Sequence, residues 1–166
     1  MADKTLDTLF HETLKDIYYA ERKIAGALRK MKRTAQSPDL KAAFETHEEE
    51  TQAQYERLQQ VFEMIGKRPQ GKTCDAIEGI ISEAQEIMDE FKGSPALDAG
   101  LLAAAQAVEH YEISRYGTLK SWAAQLGMDE AVSLLDQTLQ EESATDEKLT
   151  ALAESVVNLA AQGKAA

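Results

Sequence analysis

The 166-residue sequence has little of what several protein classes require. Its single cysteine, Cys74, excludes a disulfide scaffold and favours the reducing cytoplasm, and we interpret it as a small buried residue. Three prolines, nine glycines and 6% aromatic residues favour helices over a β-sandwich or barrel. No apolar run approaches the roughly 18 residues of a membrane span. The first residues lack an apolar signal core, so we expect no membrane association.

Positive charge is scarce in the second part of the chain. Residues 1–70 hold 12 basic and 12 acidic side chains, whereas residues 71–166 hold 6 and 17, which accounts for the net charge of −11. Such a chain repels phosphates, so we expect no nucleic-acid partner. The one basic cluster, residues 29–33, is interpreted as the solvated C-terminal end of a helix, where cations complement the helix dipole.

Apolar residues recur at alternating steps of three and four, the seam of helices packed in a bundle. The whole chain, residues 1–166, is therefore predicted to be one helical domain. Ser37 and Pro38 provide a helix start, and Gly66 and Gly127 provide helix ends. The predicted long helices cover about 5–35, 38–65, 95–126 and 129–161, with a shorter helix at 73–92.

An internal repeat sets the expected topology. Shifting the seam of the first helix by 91 residues gives the seam of the third long helix. The chain therefore looks like two antiparallel helical hairpins with short turns. The segment between the hairpins carries its own helix and is long enough to travel the length of a bundle. We predict an all-α, ferritin-like four-helix bundle with a short crossover helix.

Polar residues stand where this seam should be apolar. The candidate metal ligands among them are Glu21 in the first helix, His47 and Glu50 in the second, Glu109 and Glu112 in the third, and Glu142 and Asp146 in the fourth. Their distances from the two turns place them at one level of the bundle. Several carboxylates cannot share a dry core as free anions. A pair of bound cations would neutralise the charge of these carboxylates. Carboxylates together with an imidazole suit iron or manganese. The competing interpretation is a metal-free network of protonated acids, water and Arg115.

Four segments resemble the YciF-type family, a bacterial branch of the ferritin-like superfamily without a settled activity. They are residues 16–21, 47–51, 105–113 and 139–146, and the most specific stretch is Val108-Glu-His-Tyr-Glu112. The resemblance implies a ferritin-like fold, homodimers and a link to bacterial stress responses.

Ferritin-like di-iron proteins generally carry a lone glutamate on helices one and three, which Glu21 and Glu112 match. They carry Glu-x-x-His on helices two and four. Here the second helix reverses that order, with His47 before Glu50, and the fourth has no histidine. One inward imidazole instead of two argues against ferroxidase chemistry and leaves metal binding open.

Two functions are consistent with these observations. The first is a cytoplasmic, dinuclear iron- or manganese-binding stress protein, whose catalysis, if it is an enzyme, would be oxidation by oxygen or peroxide. The second is a non-catalytic dimeric protein that docks a stress-related protein partner and keeps its core acids as a metal-free polar network.

Overall fold

The computed structural model describes residues 4–163, and all regular structure in that range is helical. The all-helical prediction is therefore confirmed for this range. Its five helices are α1 (Leu6–Thr34), α2 (Pro38–Met64), α3 (Asp75–Glu90), α4 (Leu97–Gln125) and α5 (Asp129–Leu152). Beyond α5 the chain widens into a π-helical turn, Ala153–Val157, before a last turn, Asn158–Ala160. None of these helices is long and apolar enough to span a membrane.

The turn between α1 and α2 is held by a side chain from a distant part of the sequence. The Ser37 hydroxyl accepts a hydrogen bond from the Leu40 backbone and caps α2, and Pro38 occupies its first turn. The buried Asp98 carboxylate accepts from the backbone amides of Gln36 (2.8 Å) and Ser37 (2.6 Å). Asp98 lies in the first turn of α4, so it fixes the α1–α2 turn against that helix.

Bonds between side chains show how the long helices run. Within each connected pair, high residue numbers on one helix meet low numbers on the other. These bonds are Arg29–Glu48 (2.6 Å) and Gln59–Tyr18 (3.2 Å) for α1 with α2, and Lys120–Asp136 (2.6 Å) and Gln106–Thr150 (2.8 Å) for α4 with α5. Both pairs are therefore antiparallel. Contacts of α1 with α4 and of α2 with α5 close a ring around the core, and α3 packs against α1 and α4.

The buried face of α5 differs from the one that its sequence predicts. The expected seam runs through Leu135, Glu142 and Leu149, which are buried, but its other members are partly or largely exposed. The positions expected inward were Val132, Leu139, Asp146 and Leu152 in α5 and Val156 in the π-helical turn, and those found buried are Ala131, Thr138 and Thr145 in α5 and Ala153 and Val157 in the turn. Each is an immediate neighbour with a smaller or equal side chain. Because leucines flank these positions, the hydrophobic periodicity alone did not show which face of α5 is buried.

The contact between α3 and α4 depends on a residue without a side chain. A Cβ added at Gly100 would lie 2.6 Å from Ile87 Cγ2, whereas one added at Gly117 would meet no described atom within 4 Å. Both glycines are within α4. We expect Gly117→Ala to stabilise the protein by roughly 0.5–1 kcal/mol through helix propensity. Gly100→Ala should instead destabilise it by about 1–3 kcal/mol because α3 must move.

Urea denaturation of the two glycine variants and the wild type, followed by circular dichroism, provides the measurement. Each variant is the matched control of the other, since helix, substitution and change of backbone entropy are the same. Equal stabilisation by both substitutions would contradict the close approach of α3 at Gly100.

Candidate metal centre

Four buried side chains from three helices converge inside the ring of long helices. They are His47 on α2, Glu109 and Glu112 on α4, and Glu142 on α5. Their exposed fractions are 3%, 1%, 0% and 0%. One potential ligand atom from each lies within 4.8 Å of the others. We call these four residues the central cluster. Glu109 and Glu112 reach it together because residues three apart share a helix face.

The imidazole of His47 lies between the acids. Its Nδ1 is 3.1 Å from Glu109 Oε1, and its Nε2 is 3.9 Å from Glu112 Oε2 and 4.0 Å from Glu142 Oε2. Acids on α4 and α5 therefore surround both ring nitrogens of His47. This arrangement of one nitrogen and several oxygen donors is typical of sites for borderline or hard divalent cations.

Many nitrogen and oxygen atoms of the central cluster, all potential metal ligands, have no hydrogen-bond partner within residues 4–163. They are both ring nitrogens of His47, both carboxyl oxygens of Glu112, and one oxygen each of Glu109 and Glu142. Leaving a buried polar group unsatisfied costs about 1–3 kcal/mol. So many unpaired nitrogen and oxygen atoms at one point fit a bound cation, because a cation would coordinate several of them at once. The residues present therefore fit a bound metal ion.

Burial also changes the proton affinity of the central cluster. Burial raises the pKa of both Glu109 and Glu112 well above the usual value, and the nearby Glu142 is the second-largest cause. Burial lowers the pKa of His47, against the opposing charges of Glu142 and Glu50. Without a cation, burial thus favours the neutral forms of Glu109, Glu112 and His47. A cation would favour their anionic forms and displace protons.

Glu21, from α1, lies beside the central cluster and belongs to the same buried region. Burial, then the charge of Glu142, raises the pKa of Glu21 to about 8. Tyr116, Glu112 and Arg57 oppose this rise. One carboxyl oxygen accepts a hydrogen bond from the Tyr116 hydroxyl, and the other has no partner in the described part of the chain.

The two remaining predicted ligands, Glu50 and Asp146, lie further out. Glu50 is half-buried and accepts a hydrogen bond from Thr145 Oγ1 at 3.2 Å. The Asp146 side chain is 21% exposed and lies 3.2 Å from His110 Nε2. The rotation of α5 about its axis explains why Asp146 lies further out, because Thr145 occupies the inward position that the sequence predicts for Asp146. Four of the seven predicted ligands form the central cluster, and Glu21, Glu50 and Asp146 surround it.

Two further residues hold the acids in place and were not among the predicted ligands. Gln54 on α2 donates a hydrogen bond to Glu142, and Tyr116 on α4 donates one to Glu21. Gln54 interrupts the apolar seam of α2, so its inward position was visible in the sequence. Tyr116 has the pattern of a core aromatic residue, and nothing in the sequence indicates the partner of its hydroxyl.

Cys74 lies away from the central cluster, directly before α3. It is buried, and its Sγ lies 3.2 Å from the hydroxyl of Tyr111. This environment agrees with the interpretation of Cys74 as a small buried residue.

The chain is similar to known proteins along nearly its whole length. A family model described as "Domain of unknown function (DUF892)" matches residues 5–162. Protein YciF of Escherichia coli (strain K12) is 45% identical over 163 residues, which is 98% of each chain. The crystal structure of the E. coli stress protein YciF covers 94% of this chain and 99% of its own, at 45% identity and a TM-score of 0.89.

Two other solved structures extend this likeness. YcfI from Rhodopseudomonas palustris is 49% identical, with a TM-score of 0.86 over 89% of this chain and 94% of that chain. A protein from Xanthomonas campestris pv. campestris is 21% identical, with a TM-score of 0.74 over 95% of this chain and 97% of that chain. The latter likeness concerns the fold alone.

Proposed function

Because this chain belongs to the DUF892 family, as its resemblance to the YciF-type proteins predicts, we propose that it is a metal-binding bacterial stress protein with a ferritin-like four-helix bundle. The observation that carries the metal proposal is the central cluster, four buried ligand-type side chains within 4.8 Å. The stress role comes from E. coli YciF, which is described as a stress protein. The proposed location is the cytoplasm, and the proposed assembly is a homodimer.

The proposed centre is dinuclear and holds iron or manganese. His47, Glu109, Glu112 and Glu142 supply the central ligands, and Glu21 adds a fourth helix to the set. The unpaired oxygen of Glu21 and the two unpaired oxygens of Glu112 support a second ion. This region holds more potential ligand atoms than a single ion would coordinate. In ferritin-like proteins such centres are built from carboxylates and histidines on facing helices.

When bound, an iron or manganese pair supplies one-electron redox chemistry toward oxygen or peroxide. The residues of this chain contribute position and charge. Gln54 holds Glu142, and the Tyr116 hydroxyl holds one oxygen of Glu21. The ring of long helices keeps the donors away from bulk water, which strengthens their interaction with a cation.

Metal content tests this proposal directly. The untagged protein is analysed by mass spectrometry before and after anaerobic loading with Fe²⁺ or Mn²⁺. We expect about two ions per chain, as in dinuclear bundle proteins. The double variant Glu21→Gln, Glu112→Gln should lose them, because it replaces anionic ligands with neutral amides. Glu83→Gln, Glu86→Gln is the matched control, since both residues are exposed on α3. Undiminished binding by the first variant would exclude this site.

The second candidate function is a metal-free dimer that docks a stress-related protein partner. It is favoured by the hydrogen bonds that Glu142 and Glu21 already make and by the raised pKa values of Glu21, Glu109 and Glu112. In this function Glu21, Glu109 and Glu112 stay protonated. The melting temperature of the metal-free protein would then not change on addition of Mn²⁺ or Fe²⁺, whereas ligand binding to the native state must raise it.

A further inference from the structure

Two surface grooves border the buried site, one on each side of α2. The groove between α2 and α5 has a volume of about 230 Å³ and reaches His47. The groove between α1 and α2 has a volume of about 540 Å³ and reaches Glu21. Since a water molecule takes about 30 Å³ of liquid volume, either groove has room for a hydrated ion. The charges along the grooves distinguish them.

The α2–α5 groove exists because small side chains face each other there. Ala42, Ala43 and Thr46 line it from α2, and Thr145 lines it from α5. None of them is large enough to fill the gap between the helices. Leu149 provides an apolar part of the wall. The small residues of α2 together with Thr145 thus leave an open groove beside His47.

One wall of this groove is formed by a residue whose potential ligand atoms have no partner. His47 lines the groove, is 3% exposed, and has two ring nitrogens without a hydrogen bond in the described range. Glu50 lines the same groove but is half-buried, so it stands nearer to solvent. The hydrogen bond that Glu50 accepts from Thr145 Oγ1 spans the groove. A carboxylate therefore stands between solvent and the imidazole.

The outer part of the α2–α5 groove also carries a positive charge. Lys148 lines it, is exposed, and makes no ion pair within residues 4–163. The charges of Glu50 and Lys148 balance each other. An arriving cation is attracted by the first and repelled by the second.

The α1–α2 groove is less favourable to a cation. Arg22 and Arg29 line it, and both are exposed. Arg29 pairs with Glu48, whereas Arg22 makes no hydrogen bond or ion pair in the described part of the chain. An approaching cation therefore meets unbalanced positive charge on this side of α2.

We propose that the α2–α5 groove is the route by which a divalent cation reaches the central cluster, with Glu50 as the carboxylate that captures it and Lys148 as the charge that slows it. This inference rests on the proposed metal-binding function. It assigns Glu50 to transit, in place of the permanent ligand that the sequence predicts. Charges that steer an approaching ion change the rate of association much more than the final affinity.

The test compares the rate and the extent of Mn²⁺ uptake by the metal-free full chain. Stopped-flow mixing follows free Mn²⁺ through a fluorescent indicator, and electron paramagnetic resonance measures binding at equilibrium. We expect Glu50→Gln to slow uptake by about 3–10-fold at low ionic strength. Stoichiometry should be unchanged, and the dissociation constant should change by no more than the association rate does. Lys148→Gln should accelerate uptake, and both effects should shrink in about 0.5 M salt.

Two variants serve as controls for the uptake rates. Glu49→Gln removes the same charge from the exposed residue next to Glu50, outside the groove, and should leave the rate nearly unchanged. Glu50→Asp keeps the carboxylate and should recover most of the rate.

Three results would overturn the route through the α2–α5 groove. The first is the same uptake rate for Glu50→Gln and Glu49→Gln. The second is a loss of Mn²⁺ affinity in Glu50→Gln that exceeds its loss of association rate, because faster dissociation would make Glu50 a permanent ligand. The third is acceleration by Arg22→Gln without any effect at Glu50, which would move the route to the other side of α2. Failure of the wild type to take up any Mn²⁺ would instead remove the proposed function together with the route.

Discussion

Replacing Glu112 with methionine is expected to stabilise the metal-free protein by about 1–3 kcal/mol at pH 7. Glu112 is completely buried, and neither carboxyl oxygen accepts a hydrogen bond from an N–H or hydroxyl group in the described range. Burial and the neighbouring acids raise its pKa well above the usual value, so folding favours uptake of a proton by this side chain. Methionine has a similar length, needs no proton and packs well in an apolar core. Each kcal/mol corresponds to a rise in Tm of roughly 2–4 °C for a chain of this size.

The same substitution should abolish metal binding, so stability and function oppose each other at this position. In the presence of Mn²⁺ the wild type gains stability by binding, and Glu112→Met does not. Thermal denaturation with EDTA and with Mn²⁺ measures both effects on the same samples.

Two variants separate the possible causes of this stabilisation. Glu112→Gln removes the charge but keeps a polar group that needs hydrogen bonds, so it should gain less than Glu112→Met. Glu83→Met places the same residue on the exposed surface of α3 and should change stability by less than about 0.5 kcal/mol. A clear loss of stability in Glu112→Met without metal would mean that the buried carboxyl makes favourable interactions which the unpaired oxygens do not indicate.

The position of Glu112 was predictable because α4 repeats the pattern of α1. The seam residues of α1 are buried as the spacing predicts, and Glu21 interrupts that seam. The same spacing carried over to α4 places Glu112 inward, and equal distances from the turns bring His47 and Glu142 to its level. Periodicity and short turns thus predict the central cluster, since both act along a single helix or between adjacent ones.

The sequence did not predict features that depend on how one helix rotates or on contacts between distant segments. Asp146 is further out than expected because α5 turns Thr145 inward, and the apolar pattern of α5 allowed either rotation. Asp98 holds the backbone of the α1–α2 turn through two hydrogen bonds, although 61 and 62 residues separate the partners. No local pattern marks such a contact. Both cases concern packing between elements, which propensity and spacing do not determine.

A rise in pH from 6.5 to 8 is expected to destabilise the metal-free protein, and Mn²⁺ should counteract this loss. The pKa of Glu21 is raised to about 8, and those of Glu109 and Glu112 are raised well above the usual value of 4.5, in each case mainly by burial. Between pH 4.5 and 8 the native state therefore binds more protons at these acids than the unfolded state. Stability from a raised pKa is complete below 4.5 and is lost as the pH rises through the folded value.

His47 acts in the opposite direction and mainly at lower pH. Burial lowers its pKa below 6.5, so the unfolded state binds the extra proton at this residue, and above pH 6.5 this opposes the loss by only about 0.4 kcal/mol. Exposed carboxylates are already ionised in the interval from pH 6.5 to 8. The buried acids therefore dominate the change of stability in this interval. One proton more in the native state corresponds to about 1.4 kcal/mol per pH unit. Because Glu21 is half ionised at pH 8 and His47 opposes the trend, we expect a net loss of at least about 1 kcal/mol across the interval.

Urea denaturation at pH 6.5, 7.25 and 8, with EDTA or with Mn²⁺, measures this dependence. Glu21→Gln cannot titrate, so the slope of unfolding free energy against pH should decrease by the contribution of one acid. Glu83→Gln, on the exposed face of α3, should keep the wild-type slope. With Mn²⁺ the slope should flatten or reverse, because a cation competes with protons for the same carboxylates and binds better as the pH rises. A metal-free protein whose stability increases from pH 6.5 to 8 would require these acids to be ionised in the native state. The three raised pKa values would then be wrong, and the buried acids would need cationic partners from within the chain.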